Sequence, residues 1–288
     1  HWAKHERGLS ETTIDRFHGS TTQFLRWYGQ RGRPIERIGI GDIDAYLAYG
    51  RSRGWCRLTI RNVAKTLRAF FRYGAQQGWC DANLGDVIQG PRIYSLEGLP
   101  AGPAWNDVQR MFAALDQNRP KDVRDRAILM LLAIYGLRES EVAQLCLEDL
   151  DWDHDLLHVS RVKRREAMTY PLLPSVGNAI LDYLRDVRPA STYREIFLGL
   201  TSPRRPLSRG GIYSVVAPRL KALSLQIPHF GPHSLRHACA ARLMAAGLTL
   251  KEIGDHLGHQ SMAATRIYAK VDLAGLREVA AFDLGELS

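Results

Sequence analysis

The sequence is short of the features that define several large protein classes. It holds four cysteines, Cys56, Cys80, Cys146 and Cys239, and they form neither a CxxC pair nor a zinc-ligand spacing. A disulfide scaffold and a zinc finger are therefore not indicated, and reduced thiols in a cytoplasmic protein are the expectation. No apolar run approaches 18 residues, so neither a membrane span nor a membrane partner is expected. No signal peptide is visible, although the chain opens on His1 rather than Met, which leaves the true N-terminus open. Internal repeats, low-complexity tracts and the HExxH motif are all missing.

Acidic residues are in deficit. The 288 residues carry 39 Lys and Arg against 30 Asp and Glu, a net charge of +9. That balance favours a polyanion partner, nucleic acid first, because clustered cations gain from counterion release. Most of the cations are Arg, whose planar fork suits bidentate phosphate contacts. An apolar content of 45% supplies a core for each of two domains.

The clearest boundary is GPRIYSLEGLPAGP, Gly90 to Pro103, with three prolines, three glycines and no helical period. It reads as an interdomain linker, giving domains 1–90 and 104–288 joined by 91–103. Up to Leu99 the net charge is +6, and beyond it +3, so the smaller domain is the more basic per residue.

The first domain reads as all-helical. Ser10 caps a helix to about Tyr28, with Ile14, Phe17, Phe24, Leu25 and Tyr28 on one face. Asp42 caps a short helix through Tyr49, and a long one runs from near Thr59 to about Gly78. On that third helix Val63, Leu67, Phe70 and Phe71 form the apolar face, while Arg57, Arg61, Lys65, Arg68 and Arg72 form a separate stripe. Five cations with no acid among them suit a DNA backbone, and a solvated charged face is the ordinary alternative.

The second domain shows helical patterns at about 106–116, 123–135, 139–145, 176–187, 210–223, 233–246, 249–257 and 261–270, then a tail from Leu273. Leu156–Val162 and Ala167–Leu173 read as a strand hairpin around Lys163-Arg164-Arg165-Glu166.

Arg138, Lys163, His233, Arg236, His259 and Tyr268 are the candidate chemistry. Each has an ordinary reading when taken alone. Arg138 lies three residues before Glu141, a spacing that also makes a structural ion pair. Lys163, beside Arg161, Arg164 and Arg165, also reads as an exposed basic turn. His233 and Arg236 share a helix face after Pro232, and Arg236 could equally pair with a nearby carboxylate. His229, His233 and His237 recur every four residues, which could serve a metal, yet HSLRH lacks the zinc-protease pattern, so no metal or other cofactor is expected. Tyr268 in isolation is a core or surface aromatic. Together, two arginines, a lysine and two histidines can neutralise and protonate a phosphodiester that a tyrosine hydroxyl attacks.

The combination of GLRES-E at Gly136–Glu141, HSLRH at His233–His237, LGH at Leu257–His259 and a tyrosine nine residues later resembles the tyrosine recombinase, or phage integrase, family, and within it the small Xer-like members. Arg236 lies 23 residues before His259, and Lys163 eight before Pro171, as in that family's layout. The resemblance covers almost the whole chain. It implies a mainly α fold with a small β-sheet in the catalytic domain (α+β), as a two-domain C-shaped clamp around DNA. Residues 1–90 would be a SAM-like core-binding domain and 104–288 the catalytic domain.

The resemblance also implies roles. Tyr268 is the nucleophile, giving a 3′-phosphotyrosine. Arg138 and Arg236 hold the non-bridging oxygens, and Lys163 is the general acid. His233 helps take the tyrosine proton, His259 donates to the phosphate, and Glu141 supports Arg138. The expected partner is double-stranded DNA with an inverted-repeat site. A tail helix bearing Leu273, Leu276, Val279, Ala280 and Leu284 would join protomers into a dimer and then a tetramer, with a second recombinase or accessory protein as a further partner. Strand exchange would pass through a Holliday junction and serve integration, excision or resolution of a mobile element or plasmid. The hairpin RVKRREAMTYPL departs from the Gly-Lys-Gly run of housekeeping Xer proteins, and the interval from Lys163 to His233 leaves no room for the extra helix of integron integrases. A type IB DNA topoisomerase or a catalytically silent DNA-binding regulator are the alternatives.

Overall fold

The structure, a computed structural model, describes residues 5–6, 8–92, 102–161 and 166–258. Lys163, Arg164, Arg165, His259, Tyr268, the helix expected at 261–270 and the tail lie outside the described residues, as does most of the expected linker. The chain forms two compact units, His1–Glu97 and Gly98–Ser288, and the division falls inside the Pro- and Gly-rich stretch.

In the first unit α1 (Glu11–Gly29), α2 (Ile40–Ser52) and α3 (Arg57–Gln76) surround an aromatic core. Phe24 of α1 is fully buried and meets Tyr46 of α2 and Phe71 of α3 edge-on, at 5.1 and 5.7 Å between ring centroids. One ring thus pins three helices, a geometry that aromatic quadrupoles favour. α2 starts two residues before the expected cap. Gly39 takes the extended N-cap position, and Asp42, one turn in, accepts from the Gly39 N–H at 3.1 Å. Asp42 is therefore the far member of a capping box, satisfying a donor that the helix start leaves open.

After the one-turn α4 (Leu84–Val87) the chain runs back along α3. The approach is close at Gly85, where a Cβ would stand 2.8 Å from the backbone N of Arg72. Arg68 donates from Nε (3.1 Å) and Nη2 (2.5 Å) to the Ile88 carbonyl, Arg72 Nε meets Asp86 Oδ1 at 2.6 Å, and Arg57 Nη2 donates to the Arg92 carbonyl at 2.5 Å. Three of the five stripe cations are thus engaged by the chain's own residues 86–92. Arg61 and Lys65 are exposed and carry no ion pair among the described residues.

The second unit is built on α6 (Pro120–Ile134), whose residues Ala127 to Ala133 are all buried. α5 (Trp105–Ala113), α7 (Glu139–Ala143), α8 (Pro174–Asp182, continued by a wider turn Tyr183–Val187), α9 (Arg209–Ala222), α10 (Pro232–Ala245) and α11 (Leu250–Leu257) complete its described helices. A small antiparallel sheet runs β1 (Leu150–Asp151), β2 (Leu156–Arg161), β3 (Glu166–Pro171). In its register Leu157 faces Tyr170 and Val159 faces Met168, so alternate residues enter the core, while His158 and Thr169 pair at 3.0 Å on the other face. β1 escapes sequence reading because two residues are too few to display an alternation. The fold is thus mainly α with a small sheet in the second unit.

A buried ion network ties α6 to α9. Arg124 donates twice to Asp125 Oδ1, at 2.9 and 2.7 Å, and once to the Leu198 carbonyl at 3.1 Å. Arg219 Nη2 lies 2.6 Å from Asp122 and 2.7 Å from the second oxygen of Asp125. Each buried charge has its counter-charge, which burial requires.

Candidate active site

The site is organised by the last turn of α11. Thr249 caps its start, accepting from Glu252 N, and Glu252 returns the bond to Thr249 N at 2.7 Å. Gly258, left-handed at φ 62°, stops the helix. The last carbonyls of a helix have no partners within it. Here three consecutive ones are served from three different elements. Tyr170 of β3 donates to the His256 carbonyl at 2.5 Å, Arg236 of α10 to Leu257 at 2.5 Å, and Arg138 to Gly258 at 3.0 Å. A helix C-terminus carries partial negative charge, which favours both guanidinium groups there. The next residue in the chain is His259.

Arg236 is buried at 3% exposure, and its Nη1 donates to the Gly136 carbonyl at 2.5 Å. Gly136 has φ +63°, and a Cβ on it would stand 2.5 Å from Leu257 Cδ2 and 3.2 Å from Cys239 Sγ. Both the backbone conformation and the close approach therefore demand glycine. The segments GLR, HSLRH and LG interlock mainly through backbone carbonyls.

Arg138 is the extended N-cap of α7. Glu141, one turn on, accepts from its backbone N at 2.8 Å and from Nη1 at 2.6 Å. The Arg138 side chain is 32% exposed against 6% for Glu141, so a buried carboxylate holds a guanidinium that solvent, or a ligand, can reach.

His233 stands exposed in the first turn of α10, and His237 follows one turn later, their ring centroids 6.4 Å apart. Burial first, then coulombic interaction with His233, Arg236 and His229, pushes the His237 pKa down from 6.5 to about 4. His237 is thus neutral at pH 7. No three His, Cys, Asp or Glu side chains gather as a metal site among the described residues.

The structure therefore brings Arg138, Glu141 and Arg236 to the end of α11 and places His233 on the same helix turn as Arg236. The Arg161 backbone closes β2. Tyr170 is a site residue that sequence reading passes over. In the sequence it is one more strand aromatic, and its partner is a backbone atom.

Residues 104–274 match the phage integrase family, and residues 2–81 the phage integrase N-terminal SAM-like domain. The chain belongs to the phage integrase family. It is 38% identical over 188 residues to y4rA of Sinorhizobium fredii (strain NBRC 101917 / NGR234), covering 65% of this chain. It spans only 46% of the length of y4rA. It is 29% identical over 280 residues to the tyrosine recombinase XerC of Mycobacterium leprae (strain TN), covering 94% of this chain and 92% of that one. Among solved structures, the XerH site-specific recombinase bound to a palindromic difH substrate, in a post-cleavage complex, superposes with a TM-score of 0.73 at 18% identity, over 96% of this chain and 81% of that one. The likeness to XerH is one of fold. No helix among the described residues is long and apolar enough to cross a membrane.

Proposed function

We propose that this chain is a site-specific DNA recombinase that cuts and rejoins double-stranded DNA through a covalent tyrosine intermediate. The observation that carries the reading is the convergence of Arg138 and Arg236 on the two carbonyls just before His259, in a member of the phage integrase family. Two cations fixed by backbone acceptors are preorganised, so they need not reorganise when charge builds on a phosphate.

Tyr268 attacks the scissile phosphorus, forming a bond from its phenolic oxygen to the 3′-phosphate while the bond to the 5′-oxygen breaks. The tyrosine proton passes towards His233, and Lys163 gives a proton to the leaving 5′-oxygen. Arg138, oriented by Glu141, and Arg236 hold the non-bridging oxygens, and His259 donates to one of them. The phosphotyrosine ester conserves the bond energy, and attack on it by another 5′-hydroxyl rejoins the strands through a Holliday junction. Residues 1–90 act as a core-binding domain, 91–103 as linker and 104–288 as the catalytic domain. On an inverted-repeat site, protomers pair and then form tetramers through the tail helix, with a second recombinase or accessory protein where the site requires one. The purpose is integration, excision or resolution of a mobile element or plasmid.

The test is covalent trapping. Wild type and Tyr268→Phe are mixed with sheared genomic DNA and nicked duplexes, denatured in detergent, and the attached fragments sequenced. Adducts at one class of site, formed by wild type alone, support the reading, and exchange between two such sites separates it from a topoisomerase. Tight, salt-sensitive binding without any adduct opposes it.

A further inference from the structure

The β2–β3 hairpin and the end of α11 bear two of the proposed catalytic groups, Lys163 and His259, on separate stretches of chain. One side chain joins these stretches. Tyr170 on β3 lies opposite Leu157, and between the partners of the last pair of that ladder, Arg161 and Glu166, the sequence holds four residues that include Lys163. Its ring is 4% exposed and packs 5.4 Å from Tyr135 and 5.3 Å from His256, centroid to centroid. Its hydroxyl donates to the His256 carbonyl at 2.5 Å, two residues below Gly258. The same end of β3 is held a second time. Tyr135, next to the Gly136 turn, donates to the Pro171 carbonyl at 2.8 Å and accepts from Leu173 N at 2.9 Å.

Phenylalanine would fill the same volume at position 170 and leave the hydroxyl's role vacant. A buried phenol is costly unless hydrogen-bonded, and the Met168 Sδ that the hydroxyl also meets on its own strand, at 3.9 Å, is a weak acceptor. Here it reaches across to α11. We infer that Tyr170 is a positioning residue that holds the Lys163-bearing hairpin in register with the end of α11, and so places the general acid at the leaving oxygen. The inference rests on the recombinase reading above and assigns it a residue outside the catalytic set.

The test uses wild type and Tyr170→Phe on a nicked duplex carrying the site found by adduct sequencing, made with oxygen or with sulfur at the bridging 5′ position. Sulfur leaves as a thiolate, whose conjugate acid has a pKa of about 8.5, and needs no general acid. With saturating protein, Tyr170→Phe should form adduct about 10- to 100-fold more slowly than wild type on the oxygen duplex. On the sulfur duplex the two should match, with equal DNA affinity. Equal slowing on both duplexes, or none on either, overturns the inference and leaves the recombinase reading intact. Absence of any wild-type adduct on the sulfur duplex removes the recombinase reading and this inference with it. Thermal melting checks that Tyr170→Phe is folded. Tyr135→Phe, which cuts the tie at Pro171, is an independent variant with the same expected pattern.

Discussion

Arg138 and Arg236 donate to adjacent carbonyls, those of Gly258 and Leu257, at one helix end. The helix end needs donors and the arginines need fixed acceptors, so one set of bonds serves the fold and the chemistry together. Because the acceptors are backbone atoms, their position is set by the α11 helix and its glycine stop rather than by side-chain rotamers.

Removing Arg236 should therefore cost stability as well as activity. Its loss leaves the Gly136 and Leu257 carbonyls without that donor in a buried setting. At about 1–3 kcal/mol for each of these two unsatisfied buried groups, Arg236→Ala should lower the unfolding free energy of residues 98–288 by about 2–6 kcal/mol. Arg236→Lys should recover part of this, since a compact ammonium cannot span both acceptors as the planar fork does. Urea denaturation of the two variants without DNA measures it. An Arg236→Ala protein as stable as wild type would show that the carbonyl bonds carry no weight.

The His237 ring predicts a pH dependence. Its folded pKa of about 4 lies below its ordinary 6.5. Above pH 6.5 it is neutral in both states and contributes nothing. Between 6.5 and 4 the unfolded chain binds a proton that the folded chain does not, so stability falls as pH falls, and the loss is complete below pH 4. Discounted for the ring's partial exposure, the loss is roughly 1–2 kcal/mol. His237→Gln should narrow the difference in urea midpoint between pH 7.5 and pH 4.5 by that amount. Among the groups that act on the ring are His233, Arg236 and His229. A variant whose midpoint shifts equally at both pH values would rule out this source of acid sensitivity.

What could be read from the sequence divides by range. The Arg138–Glu141 pair was legible because three residues on a helix start set it locally. The helices were legible for the same reason, with ends misplaced by a few residues where a glycine or proline supplied the cap. The bonds to the carbonyls of His256, Leu257 and Gly258 were not legible, because a backbone oxygen has no sequence signature and its donors arrive from distant segments. The α3 stripe shows the limit most directly. Counting cations around a helical wheel placed five on one face, while the segment 86–92 that engages three of them returns only after α4 turns the chain. No periodicity encodes that return.

The stripe yields the last prediction. If α3 meets a DNA backbone, its cations should contribute unequally. Arg68 spends two donors on the Ile88 carbonyl and is half-buried, so it adds little at the surface. Arg72 faces Asp86, both more than half exposed, and a surface pair of that kind is worth only about 0–1 kcal/mol, so DNA could replace the carboxylate. Arg61 and Lys65 are exposed without such a competitor among the described residues. Removing a cation that neutralises one phosphate of duplex DNA should reduce the slope of log K against log salt by about 0.9. Arg61→Ala and Lys65→Ala should each show about that reduction on non-specific duplex, with binding weakened similarly across sequences. Arg68→Ala should leave the slope unchanged and instead expose residues 86–92 to protease, since its bonds hold that segment down. Asp86→Asn should steepen the slope by freeing Arg72. Were Arg68→Ala to flatten the slope as much as Arg61→Ala, the self-engaged arrangement could not be the DNA-bound one, and 86–92 would have to lift off α3 when DNA binds.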